Sequence, residues 1–264
     1  MSRVSVDLSG KVAFITGGAS GIGRGLALQM AQDGAAVVVT DLDSVQARLV
    51  ADAIAEAGGQ ALSFDLDVRD AAATAEAVAT TLDRFGQIDF VFANAGVLGP
   101  ADYLETTPAD WDLTLDVNVK GVVNTCRAVV PHMMERRQGR ILITASYNGV
   151  RAGAHVIPYR VTKAAAIMYA RCLALVVAPY GITVNALCPG VTLTPMQMDY
   201  AVGTAAKQGV TTSAYLDERL AHIPMHEFTG LADITGLAEF LVSDNARLIT
   251  GQAIAPDGGV MISS

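Results

Sequence analysis

Tyr159 and Lys163 stand four positions apart in the stretch SYNGVRAGAHVIPYRVTK, and Ser146 lies thirteen positions before the tyrosine. On a helix, side chains at i and i+4 project from one face about one turn apart, which sets an ammonium beside a phenol. A free tyrosine titrates near ~10, too high for a proton acceptor at neutral pH, and a neighbouring cation favours the phenolate. Lowering that pKa by about three units takes roughly 4 kcal/mol, within reach of a buried lysine acting with one further positive group. Ser146 follows the apolar run RILITA, which reads as a buried strand. Its hydroxyl is therefore expected where the carboxyl end of that strand meets the tyrosine helix. A Tyr-x-x-x-Lys spacing alone arises often by chance, so its meaning depends on what the rest of the chain brings to the same cleft.

The elements that must position these residues alternate. KVAFIT and AAVVVT are apolar runs with the helical segment GRGLALQMAQDG between them, ended by Gly34. The Ala-rich segment SVQARLVADAIAEAG leads to QALSF, and DAAATAEAVATTLDRFG leads to IDFVFA, with Gly58 and Gly86 placed as carboxyl-terminal caps. Thr107-Pro108 opens a long helical tract running through Trp111 and Asn118 to about Arg136, with Pro131 predicting a bend. RILITA, the Tyr159 helix to about Tyr180, ITVNAL, the helix ADITGLAEFLVSD and the strand GQAIAP complete the series. This rhythm predicts a doubly wound α/β fold: one domain over residues 1–264 with a mostly seven-stranded parallel sheet and helices on both faces. The rhythm breaks between 191 and 226, where no strand and only one short helix, around Ala214 to His222, are expected; an insertion there is where such sheets carry a substrate lid.

Between the first strand and its helix lies Thr16-Gly17-Gly18-Ala19-Ser20-Gly21-Ile22-Gly23. Glycines at such a turn let backbone N–H groups and a helix amino terminus approach a pyrophosphate. Asp41 ends the second strand eighteen residues after Gly23, where a carboxylate accepts the adenosine-ribose hydroxyls and repels a 2′-phosphate. NAD is accordingly favoured over NADP. A helix cap is the plainer reading of Asp41, with Ser44 competing for that role, and Arg24 is a cation that a 2′-phosphate would want.

Composition narrows the class. The 264 residues are 52% hydrophobic but only 6% aromatic, a balance suited to a Val-rich sheet and Ala-rich helices. A net charge of −8 with no basic patch argues against a nucleic-acid partner. Cys126, Cys172 and Cys188 have no metal-like spacing and read as reduced, buried thiols of a cytoplasmic protein. The opening MSRVSVDLSGK has no apolar signal core, no later apolar run reaches the length of a membrane span without Gly, Pro or charge, and no metal site is expected.

In order, TGGASGIG, Asp67-Val68, Ala93 to Gly96 (ANAG), Asn118 in DVNVKG, Ser146, YRVTK, Asn185 to Gly190 (NALCPG) and TGQAIAPDGG resemble the short-chain dehydrogenases/reductases across nearly the whole chain. Ala93 where the family often has asparagine, and Val161-Thr162 where Ala-Ser is commoner, depart from the pattern without removing a functional group. The resemblance implies that Gly17, Ser20, Gly21, Ile22 and Gly23 line the pyrophosphate, Asp41 the adenosine ribose, and Asp67 and Val68 the adenine. It implies that Asn94, Ala95 and Gly96 pass under the adenine-ribose side, and that Pro189, Gly190, Val191 and Thr194 cradle the nicotinamide end. Tyr159 would be the acid/base, Lys163 would hold the nicotinamide ribose and lower the tyrosine pKa, Ser146 would bond the substrate oxygen, and Asn118 would hold a proton-passing water.

The expected activity is hydride exchange between NAD and a secondary alcohol or ketone. Met196, Met198 and Tyr200 in the lid point to an apolar or aromatic substrate, although a packed lid explains them equally. His155, Asn148 and Arg151 are candidates for the pocket wall. An NADP-dependent ketoreductase and a non-catalytic dinucleotide-binding regulator are the alternatives. The apolar faces of the 117–136 tract and the Tyr159 helix, with the resemblance, predict a homodimer or homotetramer.

Overall fold

The computed structural model describes residues 6–262; the first five residues of the opening segment, read above as lacking a signal core, and the last two lie outside the described residues. From the amino terminus the chain forms β1 (Val12–Thr16), α1 (Gly21–Gln32), β2 (Ala36–Asp41), α2 (Ser44–Glu56), β3 (Ala61–Asp65), α3 (Ala71–Phe85) and β4 (Phe90–Ala93). A continuous helical stretch follows, made of α4 (Pro108–Leu115), a π-helical turn (Asp116–Gly121) and α5 (Val122–Arg136). Then come β5 (Gly139–Thr144), α6 (Ile157–Val177), β6 (Ile182–Leu187), α7 (Pro195–Gln208), α8 (Thr212–Ala221), α9 (Leu231–Val242) and β7 (Ala253–Ile254).

All seven strands join one parallel sheet in the order β3-β2-β1-β4-β5-β6-β7. Because side chains alternate across a strand, Phe14, Val38, Val91 and Ile141 bury on one face with Val78, Val129 and Ala170, while Ile15, Val39, Phe92 and Leu142 bury on the other with Leu26, Val50 and Leu241. Helices α3, α5 and α6 thus cover one face and α1, α2 and α9 the other, as the rhythm predicts. The order reverses between β1 and β4, and the crevice beyond their carboxyl ends is where such sheets take ligands.

Local signals account for the helix ends. Asp70 caps α3 by accepting from Ala72 N and Ala73 N, and Gly86 closes it at φ 76. Thr107 and Asp110 form a reciprocal capping box at the start of α4. At α2 the cap is Asp43, which accepts from Gln46 N, so neither Asp41 nor Ser44 serves there. The helix α5 runs unbroken through Pro131.

Two expectations are corrected. The 191–226 region holds two helices rather than one: Thr194 caps α7 with Pro195 behind it and Gly209 in the left-handed region after it, and Thr211 caps α8. Cys126 and Cys188 are buried, but Cys172 is exposed. By length and a mean hydropathy of 1.6 over its apolar window, Ile157–Tyr180 also passes as a membrane span. In the fold, one face of that helix packs against the sheet through Ala166, Ala170 and Ala174, and the site below is built on it.

Candidate active site

The chain reaches the site first at the turn after β1. Gly17 sits at φ +64, and a Cβ there would lie 2.8 Å from Ala95 Cα, so the turn can pass this close to the end of β4 only without a side chain. Asn94 pins it: its Nδ2 donates to the Thr16 and Gly17 carbonyls at 3.1 and 3.0 Å, and Asn94 N and Ala95 N donate to Thr16 Oγ1. Gly23 faces the Gly17 carbonyl, 2.0 Å from where a Cβ would stand, so it serves helix-to-turn packing. Ser20 begins α1 without any side-chain cap bond, and no acidic residue lies in the first turn. Those first amides are left for an anion, the arrangement a diphosphate requires.

A cleft of about 380 Å³ opens here, lined by Gly17, Ser20, Gly21 and Ile22 of the turn, by Asp41, Asp67 and Val68, and by Tyr159, Lys163 and Thr194. Asn94, Ala95 and Gly96 line it as well. Asp41 accepts from Ala19 N at 3.0 Å and Asp43 N at 3.1 Å, which aims the carboxylate at the end of the cleft. Arg69, the cation on this wall, is held by Asp67 at 2.6 Å, and Asp67 sits below the usual carboxylate range mainly through that bond. The residues present fit a nicotinamide dinucleotide: a glycine cradle, free helix amides and a ribose-facing carboxylate lie along one cleft.

Ser146 leaves the end of β5 and accepts from Asn148 N at 3.1 Å as a short 3-10 turn begins. That turn is pressed on α6: a Cβ on Gly149 would stand 2.6 Å from the Lys163 carbonyl carbon. Val156, at φ 52, and Pro158 start α6, leaving His155 in the preceding loop. Ser146 hydrogen-bonds Tyr159, and Lys163 Nζ lies 5.5 Å from the centroid of the tyrosine ring. The three residues converge as the spacing requires.

Their electrostatics differ from the expectation that Lys163 renders Tyr159 acidic. Burial pushes the Tyr159 phenol up to about 12, and the Ser146 hydrogen bond pulls the other way. Burial also lowers Lys163 to about 8, and its ammonium donates to the Thr144 carbonyl at 2.7 Å. Desolvation is the largest effect at both groups, and the ammonium points at a carbonyl instead of at the phenol oxygen. Burial raises the nearby Cys188 thiol to about 11, which keeps it a neutral neighbour.

Asn118 is fully buried in the π-helical turn. Its Oδ1 accepts from Val97 N at 2.8 Å, and its Nδ2 donates to the Val97 carbonyl and Thr162 Oγ1. These bonds fix the Val97 backbone against α6 and leave Oδ1 a second lone pair. Pro189, Gly190 and Val191 lie behind the cleft wall: the Pro189 carbonyl accepts from Tyr147 N, Gly190 allows close approach of Asp257, and Val191 packs with Ile223 and Val260. Leu42, Leu66, Val97, Leu113, Val117, Thr144 and Pro195 also line the cleft and were passed over in the sequence, although Leu66 and Thr144 directly follow or end strands. Gly149 was missed as well.

Residues 17–261 match the family described as Enoyl-(Acyl carrier protein) reductase. Oxidoreductase UcpA of Escherichia coli (strain K12) is 36% identical over 96% of this chain and 95% of its own. A 2,3-dihydro-2,3-dihydroxybenzoate dehydrogenase of Bacillus subtilis (strain 168) is 35% identical over 97% of each chain. Among solved structures, levodione reductase is similar with a TM-score of 0.93 at 28% identity, covering 97% of this chain and 100% of that one. NAD+-bound xylitol dehydrogenase gives 0.91 at 30% identity over 96% and 99%. An actinorhodin polyketide ketoreductase with NADPH gives 0.92 at 30% over 96% and 97%.

Proposed function

The chain belongs to the short-chain dehydrogenase/reductase family, and on that premise we propose that it oxidises a secondary alcohol, or reduces the matching ketone, using NAD. The observation that carries this reading is the meeting of Ser146, Tyr159 and Lys163 beside a cleft whose far wall is the glycine turn. When bound, the nicotinamide supplies the hydride acceptor or donor. In oxidation Ser146 Oγ and Tyr159 Oη hold the alcohol oxygen, and Tyr159 Oη takes its proton. In reduction the same phenol returns the proton, while Ser146 stabilises the charge growing on oxygen. Lys163, its ammonium fixed by the Thr144 carbonyl, holds the ribose end.

Asp41 supports NAD over NADP, because a 2′-phosphate at that end would meet a carboxylate while Arg69 is held by Asp67. Met196 at the cleft wall supports an apolar or aromatic substrate body. Two relatives, the dihydroxybenzoate dehydrogenase and a 2,5-dichloro-2,5-cyclohexadiene-1,4-diol dehydrogenase of Sphingobium indicum, carry ring compounds in their names, in line with that body. We place the protein in the cytoplasm as a homodimer or homotetramer.

The test pairs fluorescence titration of NADH and NADPH with a screen of secondary alcohols. NADH should bind at least ~10-fold more tightly than NADPH, and Tyr159→Phe should keep that binding while turnover falls at least ~10²-fold. Turnover retained by Tyr159→Phe would remove the assignment.

A further inference from the structure

A second cavity, of about 170 Å³, opens next to the Ser146 loop and is bounded by Tyr147, Asn148, Val156, Arg160, Tyr200 and Arg219 among others. It shares two segments with the first: Arg160 on its wall follows Tyr159, and Gln197 follows Met196 of the first cleft; its Tyr147 follows Ser146 in the chain.

Its charges lack counter-ions. Arg219, on α8, donates one Nη2 bond to Tyr147 Oη at 2.7 Å, and its Nε is buried without a partner. Arg160 spends its Nε and Nη1 on the His155 and Arg151 carbonyls, at 2.9 and 2.7 Å, so it braces the loop without losing its charge. Among the described residues neither arginine reaches a carboxylate within ion-pair distance. The one acid on the wall, Glu218, is exposed. Burial, together with Arg219 and Arg151 nearby, pulls the Arg160 guanidinium down from its ordinary value. Asn148, whose Oδ1 is also buried without a donor, brings an amide to the same wall. In a chain of net charge −8, partly desolvated guanidiniums facing a cavity need an anion to offset the cost of their burial. A planar carboxylate matches the guanidinium edge, and the tyrosine walls suit an aromatic or alicyclic body behind it.

We propose that this cavity binds a carboxylate carried by the substrate, with Arg219 as its direct partner and Arg160 as supporting charge, so that a hydroxy acid presents its alcohol to Ser146 and Tyr159. This rests on the dehydrogenase reading above for the alcohol, whereas the anion site can be read without turnover.

Benzoate and benzamide are titrated by calorimetry into the NADH-saturated protein, with phenyl phosphate as a third probe. Benzoate should bind at least ~10-fold more tightly than benzamide or phenyl phosphate, and Arg219→Gln should weaken it by about 10- to 100-fold. Tyr159→Phe should bind benzoate like the wild type, so a failed dehydrogenase reading leaves this arm intact. Arg219→Lys, with NADH binding as the check of folding, should recover part of the benzoate affinity. In turnover, the preference for secondary hydroxy acids over their methyl esters should fall at least ~10-fold in Arg219→Gln. Equal binding of benzoate and benzamide, benzoate binding unchanged in Arg219→Gln, or binding of phenyl phosphate alone would overturn the proposal.

Discussion

At the scale of the residue, the site depends on how burial moves two pKa values in opposite directions. Tyr159 and Lys163 were legible because a helix turns a spacing of four into a shared face. What the spacing does not carry is solvation: it says nothing of the Thr144 carbonyl that receives the ammonium, or of the surroundings that push the phenol up. Because the folded Lys163 pKa lies below the ordinary lysine value, the folded chain binds fewer protons between about 8 and that value. Its cost to stability is therefore fully present below pH 8 and fades as pH rises through that window. Lys163→Met should raise Tm at pH 7 by relieving up to roughly 3 kcal/mol, less the lost hydrogen bond, and its advantage over the wild type should shrink toward pH 10. A thermal melt across pH checks both parts, and a lower Tm at pH 7 would contradict the burial cost.

At the scale of the element, the glycine turn, all seven strands and most helices could be read directly, since strand runs, caps and glycine stops are local signals. The seventh strand is only Ala253–Ile254, shorter than the run GQAIAP suggests. The helix α7 was missed although Thr194, Pro195 and Gly209 mark both its ends, because its interior mixes Thr, Met, Gly and Gln without a clear apolar stripe. The π-helical turn at Asn118 has no signature in a single sequence, and close approach at Gly149 depends on two elements fourteen residues apart. Gly149→Ala would force the Ser146 turn off α6, so stability should fall by about 1–3 kcal/mol and turnover should drop with NADH binding kept. Gly203→Ala, in α7 with nothing within 4 Å of the added carbon, should instead stabilise by about 0.5–1 kcal/mol. Equal melts for the two variants would count against the packing described for the Ser146 turn.

At the scale of the whole molecule, one sheet separates two cores, and the helix that carries the chemistry has an outer face that neither core uses. Val161, Met168 and Leu175 recur every seven residues along α6 and are 44%, 55% and 80% exposed. A stripe of that kind fits burial against a second copy of the same helix, in line with the proposed homo-oligomer. Leu175→Glu should lower the mass seen by sedimentation velocity while leaving far-ultraviolet dichroism unchanged; an unaltered mass would place any interface elsewhere. The composition anticipated this fold class and the Tyr159 helix read as apolar on more than one face, but which of those faces the sheet leaves uncovered depends on what the helix packs against.

The most direct measurement is an ultraviolet difference titration of tyrosinate, wild type minus Tyr159→Phe, with and without saturating NAD+. Without NAD+, Tyr159 should stay protonated until pH approaches about 12. With NAD+ bound, the added positive ring should bring one tyrosine's signal down by about three units. Identical curves in the two states would contradict Tyr159 as the proton acceptor of this site.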